Sequence, residues 1–496
     1  MYFLGYDLGA SSYRAVLAEI DEKDRKIRVI ETLRWPNQII RVRDRLYWDL
    51  LEIWSNIKYG IKYFSGVVRE RNSHITSIGV DSWGVDFVLI DRLGEPVGLP
   101  VSYRDPRTIN IMEEVFKKIS KEKIYEMTGI QFMRINTLYQ LYSMILRKDP
   151  KISIAYKFLM IPDLFHYWLT NKIYVEYTNA STTQLLDPWR RKWHEELIKI
   201  LGMPIDIFPD IIEPGTVIDE IDHKILDEIC LREKIVVTAP ATHDTASAVA
   251  AAPMVREDTI YISSGTWSLI GVELRNPLIN RKAFEYNFTN EGGVFSTIRF
   301  LKNVQGMWII EEVRRVIKER EGIEFSYDEI NRIVMEKPLI RKFIDPDHES
   351  FISPQDMIQA INNYLEKTGQ EKPSDYGELF KIIYQSLAFK YRVVINYIED
   401  LIGKKIREIN IVGGGSRNNL LNKMIADVSG RKVYAGPEEA TSIGNILMQA
   451  KGLGIIRSLE ELREYVKNSF QIKIFEPEKT DEYEEYYDLF LKKIMI

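Results

Sequence analysis

In the run Ala241-Thr242-His243-Asp244-Thr245-Ala246-Ser247-Ala248-Val249, one acid follows a strand-like stretch, Lys234 to Thr238, and a breaker, Pro240. The small residues after it read as a helix, so Asp244 is held at a strand-to-helix junction where a loop can present it. One carboxylate so placed suits general-base work on a hydroxyl, provided that other groups hold phosphate. The position equally suits a helix N-cap, and one acid can do both because capping orients it.

Three segments have the chemistry to hold phosphate. In Asp7-Leu8-Gly9-Ala10-Ser11-Ser12-Tyr13-Arg14, small residues between two strands let backbone N–H groups approach phosphate oxygens, Ser11 and Ser12 add hydroxyls, and Arg14 adds charge. Asp7, at the end of the first strand, suits Mg²⁺ directly or through water. Ser263-Ser264-Gly265-Thr266-Trp267 is chemically its twin. Each alone is equally well a plain hairpin turn. The third, Val412-Gly413-Gly414-Gly415-Ser416-Arg417-Asn418, joins a strand to a helix, where glycines let the main chain lie against a flat ring or a phosphate. It is neither the dinucleotide G-x-G-x-x-G nor the Walker loop.

Other chemistries fit less well. The six histidines form no H-x-x-x-H pair and no His/Cys cluster, which argues against structural zinc. Cys230, between Ile229 and Leu231, reads as packing. Trp83 and Trp267 read as core aromatics, although Trp83 stands beside a turn. Asp81 and Asp86 flank the Trp83-Gly84 turn, able to bind hydroxyls or to close the loop. Arg104, Asp105 and Arg107 read as a surface ion-pair cluster or as part of a site.

The elements that must position these groups follow from periodicity. Strands are expected over Tyr2 to Tyr6, Ala15 to Ile20, Ile75 to Asp81 and Val85 to Ile90, with an amphipathic helix beginning at Tyr47-Trp48. That order implies a mixed sheet flanked by helices. A helical region fills much of 110–200. After Asp244 the pattern restarts, with strands at Thr259 to Ser263 and Trp267 to Val272. A long helix spans Gly377 to Ile402 with Gly403 as its C-cap. Then come a strand at Ile406 to Val412, the triple glycine, and a helix from Asn418 to Val428. With 496 residues, two domains are expected, 1–245 and 246–496, with a catalytic cleft between them.

Composition bounds the partners. The chain is 45% apolar and 28% charged, an ordinary globular balance that excludes disorder. A net charge of −5 with no Lys/Arg block argues against nucleic acid. No basic leader and no membrane-length apolar run are visible, and the single cysteine excludes an internal disulfide, so the expected setting is cytoplasmic, with no membrane partner.

Taken together, the Asp-Leu-Gly-Ala-Ser-Ser turn, the Ser-Ser-Gly-Thr-Trp turn and the Val-Gly-Gly-Gly joint resemble the FGGY carbohydrate kinases. Supporting stretches are Ile78 to Phe87, Tyr103 to Thr108, Gly129 to Phe132, Asn136 to Leu141, Glu176 to Leu185, His243 to Ala248, Asn290 to Gly293 and Lys302-Asn303. The resemblance implies an α/β fold of two ribonuclease-H-like domains of the actin/hexokinase type. It implies Asp244 as the base that deprotonates the attacking sugar hydroxyl, with Trp83, Gly84, His243, Thr245 and Asn303 around the sugar. Ala10, Ser11, Ser12, Tyr13 and Arg14 would cradle the outer phosphates, Thr266 would meet the γ/β-phosphates, Gly414 would face the adenosine, and Asp7 would hold the metal. The implied reaction moves the γ-phosphoryl of Mg-ATP to the 1-hydroxyl of L-rhamnulose. Fuculose, ribulose or xylulose are the alternative ketoses, and a non-catalytic ATP-switched protein of the same fold is the alternative class. Tyr13 departs from the glycine usual there, and a monomer or a homodimer is compatible with the chain.

Overall fold

The computed structural model describes residues 1–254, 256, 258–352 and 354–494. The chain separates into two compact units. One comprises Met1–Pro253, Glu273–Phe300 and Ala440–Phe470, the other Met254–Val272, Leu301–Glu439 and Gln471–Ile496.

The first unit is built on a six-stranded sheet. Its strands are β1 (Tyr2–Leu8), β2 (Ser12–Asp21), β3 (Lys26–Pro36), β4 (Ile75–Ser82), β5 (Thr216–Glu220) and β6 (Val236–Ala239), in the order β5–β6–β4–β1–β2–β3. β1 is buried along its whole length, as a central strand covered on both faces must be. β4 runs parallel to β1 and β6 parallel to β4, while β1–β2 and β2–β3 are antiparallel. The mixed sheet expected from the sequence is present. Its β3 and β5 were not anticipated, and the strand expected from Val85 to Ile90 is shorter (Phe87–Ile90) and pairs with Lys157–Met160 outside this sheet.

Helix α1 (Leu50–Arg69) starts later than its apolar periodicity suggests. Tyr47 and Trp48 end a short strand paired with Ile39–Val42, and Asp49 caps the helix by accepting from the Glu52 N–H at 3.0 Å. An acceptor at that point satisfies a donor that the first helical turn leaves open. Helix α2 (Asp244–Ala250) begins at the acid singled out above, with His243 as the N-cap residue. Asp244 is therefore the first helical residue and not the cap.

Helix α3 (Ala440–Gly452), far along the chain, packs in this unit against β1, β4 and α2. Two glycines make room for it. Gly5 and Gly79 are register partners on β1 and β4, and a Cβ on either would stand about 3 Å from the Asn445 side chain, at 3.3 and 3.0 Å. On its other side Gly444 lies against the main chain of α2, where a Cβ would fall 1.8 Å from the Ser247 carbonyl oxygen. Ser442, Asn445 and Gln449, spaced i, i+3 and i+7, form a polar stripe on one helix face. Gln449 Nε2 donates to Leu4 O at 3.1 Å and to Asn445 Oδ1 at 2.7 Å.

The second unit repeats the plan. β7 (Thr259–Ser264) and β8 (Trp267–Leu274) form a hairpin. β9 (Glu408–Val412) runs parallel to β7, β10 (Lys432–Ala435) parallel to β9, and β11 (Lys473–Phe475) closes the row antiparallel. The long helix spans Tyr376–Ile402, with Gly403 at φ +66° as its C-cap, a left-handed position that glycine adopts without steric cost.

Two expectations are corrected. Cys230 is exposed, not packed, because its left-handed φ of +61° turns the chain out of the preceding helix His223–Glu228. Of the two readings of Arg104, Asp105 and Arg107, the surface cluster fails for Asp105 and Arg107, which are buried. Asp105 caps the turn at Pro106 by accepting from the Arg107 N–H, and it also accepts from the Leu46 N–H and Arg45 Nη1, each at 2.9 Å.

Candidate active site

The carboxyl ends of parallel strands are where open α/β sheets place ligands, and the acids of the first unit gather there. Register sets Asp7 on β1 beside Asp81 on β4. One residue further on, Ser82 bridges His243 in parallel fashion, which brings Asp244 to the same edge. The main chain ties these strand ends together: the Trp83 N–H donates to Leu8 O at 3.3 Å and the Ser82 N–H to Thr242 O at 2.9 Å.

Asp7 is buried, paired with Arg14 Nε at 3.2 Å, and its Oδ2 lies 3.5 Å from Ser442 Oγ. Asp81 is fully buried and accepts from Asn445 Nδ2 at 2.5 Å. Burial, then the negative charge of Asp7, raises the Asp81 carboxyl well above the usual range, and Asn445 opposes the rise. Asp244 is pushed up to about 7, first by burial and then by Asp7, with the Thr245 hydrogen bonds and Arg299 pulling the other way. Its side chain keeps 28% of its area exposed, so solvent relieves part of that push. Its Oδ1 accepts from the Thr245 N–H at 2.5 Å and Oγ1 at 3.1 Å, which aims the carboxylate.

The loop that carries this acid is held from behind by Glu176. Glu176 is fully buried, and its Oε2 accepts from Thr242 N at 2.9 Å, Thr242 Oγ1 at 2.6 Å and Thr178 Oγ1 at 2.5 Å. Thr178 Oγ1 in turn accepts from the His243 N–H at 3.1 Å, and Asn179 Nδ2 donates to Thr242 O at 3.2 Å. Donors satisfied this fully make a buried acid tolerable and stiffen the loop.

The turn at Trp83 and Gly84 is built as tightly. The Trp83 indole is 5% exposed, its ring 4.2 Å from that of Trp48. Asp86 accepts from both indoles, at 3.0 Å from Trp83 and 2.7 Å from Trp48, as well as from the Tyr103 N–H and Gln140 Nε2. Of its two sequence readings, Asp86 therefore has the loop-closing one. A Cβ on Gly84 would stand 3.0 Å from Thr182, and Val85 adopts φ +66°, an outlier for a β-branched residue and a mark of imposed local strain.

Ser11 and Ser12 are exposed at the tip of the β1–β2 turn, with Ala10 half-buried. Asn37 secures the turn through its N–H to Ser11 O at 3.0 Å and its Nδ2 to Gly9 O at 2.8 Å. The Tyr13 ring leaves the turn. It is 1% exposed, stacked on Trp35 at 5.4 Å, and its hydroxyl accepts from Asn56 at 2.6 Å, so its bulk does not narrow the loop.

In the second unit, the Thr266 and Gly265 carbonyls accept from the N–H groups of Gly306, Met307 and Trp308 at 3.1–3.3 Å. Register sets Ser263 beside Val412, which draws the triple glycine against this turn. Gly413 has φ +82°, and a Cβ on Gly415 would fall 2.0 Å from Ser264 Oγ, whereas Gly414 is exposed with open space around it. Asn303, on strand Ile298–Gln305, is half-buried and belongs to this second unit. The structure thus gathers Asp7, the turn Ala10 to Arg14, Trp83, Gly84, His243, Asp244 and Thr245 in one unit, and Thr266, Gly414 and Asn303 in the other.

Sequence reading passed over Asn445, Arg299 and the role of Glu176. The polar stripe Ser442, Asn445 and Gln449 within an apolar helical segment was the available signal for the first. Glu176 stood at the head of a quoted stretch with no role attached. For Arg299 no local signal exists.

Comparisons with known proteins agree with this architecture. The description "FGGY family of carbohydrate kinases, N-terminal domain" matches residues 2–251, and its C-terminal counterpart matches residues 260–453. A rhamnulokinase of Halalkalibacterium halodurans is 42% identical over 473 residues, covering 95% of this chain and 98% of its own. One of Bacillus subtilis is 39% identical over 484 residues, covering 97% and 96%. Among solved structures, gluconate kinase from Lactobacillus acidophilus superposes with a TM-score of 0.81 at 16% identity, covering 99% of this chain and 97% of that one. Glycerol kinase of Plasmodium falciparum with ADP gives 0.77 at 15% identity, covering 100% and 98%. These last two likenesses speak for the fold alone. With both family domains matched in order and near-full-length relatives at this identity, the chain belongs to the FGGY family of carbohydrate kinases.

Proposed function

We propose that the chain transfers the γ-phosphoryl group of MgATP to the 1-hydroxyl of L-rhamnulose, giving L-rhamnulose 1-phosphate and ADP. The observation that carries the phosphoryl-transfer reading is Asp244, an aimed carboxylate raised to about 7 at the carboxyl ends of the parallel strands of a mixed sheet. A base whose pKa lies near working pH combines a useful ionised fraction with a strong pull on the proton. The choice of sugar is supported by the rhamnulokinases that match the chain along nearly its whole length at 36–42% identity.

In this reading Asp244 accepts the proton of the 1-hydroxyl while that oxygen bonds to the γ-phosphorus. The bond from the γ-phosphorus to the β–γ bridging oxygen breaks, and ADP leaves. Trp83, Gly84, His243, Thr245 and Asn303 surround the sugar, with Trp83 acting through its packing to hold Gly84. The turn Ala10 to Arg14 takes the outer phosphates through backbone N–H groups, the serine hydroxyls and the Arg14 charge, Tyr13 contributing only main chain. Thr266 takes the γ/β-phosphates and Gly414, with open space above it, lies against the adenosine. Magnesium supplies charge neutralisation on the phosphates. It typically binds through one or two carboxylates plus substrate phosphates, and Asp7, beside Asp81 in register, fits that need. The small negative net charge, with no Lys/Arg block, favours small-molecule partners over nucleic acid, and the single cysteine suits a cytoplasmic setting.

A coupled ADP-release assay with MgATP and a panel of ketoses tests the reading. The highest kcat/KM is expected with L-rhamnulose. Preference for fuculose, ribulose or xylulose would revise the sugar, and ATP hydrolysis indifferent to any sugar would overturn the kinase assignment.

A further inference from the structure

The His243 imidazole sits in a buried file of charged groups. Arg299, with no exposed side-chain area, donates through Nε to Gly292 O at 2.8 Å, and its Nη2 lies 2.9 Å from His243 Nδ1 and 3.1 Å from Glu291 Oε2. Glu291 Oε2 is 3.4 Å from the same His243 nitrogen, and His243 Nε2 is 3.5 Å from Asp244 Oδ1.

A guanidinium carries donors only. At 2.9 Å it meets a ring nitrogen favourably when that nitrogen offers its lone pair, whereas a protonated Nδ1 would set two donors head to head. The longer contact to Glu291 does not offset that clash. A neutral imidazole with a bare Nδ1 carries its single proton on Nε2, on the side of Asp244. Glu291 balances the arginine and holds it in place, and the Gly292 carbonyl orients its plane.

We infer that Arg299, steadied by Glu291, is a positioning residue that locks His243 in the Nε2–H tautomer, making it an obligate hydrogen-bond donor at the site. His243 then selects a substrate group that accepts a hydrogen bond, such as a carbonyl or hydroxyl oxygen next to the reacting hydroxyl. It does not compete with Asp244 for the proton, because Nε2 has no free lone pair. Burial and the Arg299 charge also disfavour the imidazolium. The groups facing the ring are Arg299, Glu291 and Asp244. The substrate part of this inference rests on the proposed function, and the tautomer part does not.

The decisive measurement is ring ¹H–¹⁵N correlation NMR on the full chain with ¹⁵N-labelled histidine, His243 being assigned by its loss in His243→Asn. The expected pattern is a neutral ring protonated at Nε2, unchanged from about pH 6 to about pH 8. A ring protonated at Nδ1, or a charged ring in that range, overturns the inference even if the enzyme phosphorylates its sugar normally. Arg299→Met is expected to release the tautomer and to raise KM for the sugar roughly tenfold, the scale of one lost oriented hydrogen bond, with KM for ATP unchanged. Arg299→Lys, which retains a charged donor, is expected to restore most of that loss. Equal damage from Met and Lys, or a rise confined to the ATP KM, counts against the assignment. Should Arg299→Met fail to fold, the wild-type spectrum alone decides. Should no sugar be phosphorylated, the function proposal fails while the tautomer is still read.

Discussion

The two units offer the same edge with opposite chemistry. In each, a hairpin opens the unit and its first strand pairs in parallel with a later one: β1 with β4, and β7 with β9. In the first unit register brings acid beside acid, Asp7 next to Asp81, with Asp244 one residue beyond a bridge. In the second it brings Ser263 beside Val412 and the glycines behind it. Clustered carboxylates repel one another and raise the affinity of each for a proton. Hydroxyls and exposed main chain carry no charge and receive an anion through N–H and O–H donors. On the proposed function, the first unit's edge would serve proton removal beside its own phosphate-holding turn, Ala10 to Arg14, and the second's would serve anion binding alone; what differs is which side chains the register aligns.

The largest test of that contrast is removal of the base. Asp244→Asn is expected to lower kcat by roughly 10²–10⁴-fold or more while nucleotide binding, followed by calorimetry, stays within about threefold of the parent. Near-normal turnover would end the assignment.

The second unit is probed by adjacent glycines. Gly415→Ala puts a methyl 2.0 Å from Ser264 Oγ and is expected to cost about 1–3 kcal/mol of stability, read in urea unfolding. Gly414→Ala, with open space around it, is expected to leave stability within about 0.5 kcal/mol and to raise KM for ATP. A reversed pattern would mean that the glycine joint serves packing alone.

The pH profile sharpens the electrostatic half. With Asp244 at about 7, kcat/KM is expected to rise with pH along an acid limb near that value. Asp7→Asn removes a negative charge that raises the Asp244 pKa, so the limb moves to lower pH. A limb that stays in place would show that burial alone sets it.

The smallest effect is on stability. Because the folded-state value of Asp244 is raised from 3.8 to about 7, the folded chain holds this proton more tightly than the unfolded chain does. Between these two values stability from this group falls as pH rises, and above about 7 the loss is complete. Asp244→Asn is therefore expected to stabilise the protein at pH 8 by roughly 2 kcal/mol, discounted for the partial hydration of the side chain, with the gain vanishing near pH 4. Thermal unfolding of both forms at the two pH values measures it.

Much of the frame was legible because its causes are local. Alternating and continuous apolar runs placed β1, β4, β7 and β9 to within a few residues, and Gly403 ended the long helix where the left-handed turn required it. Tyr47 and Trp48 were misread as helix because aromatic residues ahead of an amphipathic stretch share its periodicity; the strand pairing with Ile39–Val42 decided otherwise. The spread of the first unit across the chain had no local mark. Helix α3 joins it through glycines at positions 5, 79 and 444, contacts whose partners lie hundreds of residues apart.

By itself the sequence determined which residues stand at strand ends and turns: Asp7 and the Ala10 to Arg14 turn, Asp81, Gly84, Asp244, Thr266 and Gly414. These depend on backbone propensity and hydrophobic period, which act over a few residues. Only the tertiary structure decided that Glu176 clasps the loop of Asp244, that Asn445 reaches Asp81, that Tyr13 turns into the core and that Arg299 faces His243. It alone decided the raised proton affinity of Asp244. Desolvation and charge coupling depend on distance through space, and that distance exists only once strands from separate parts of the chain lie in register.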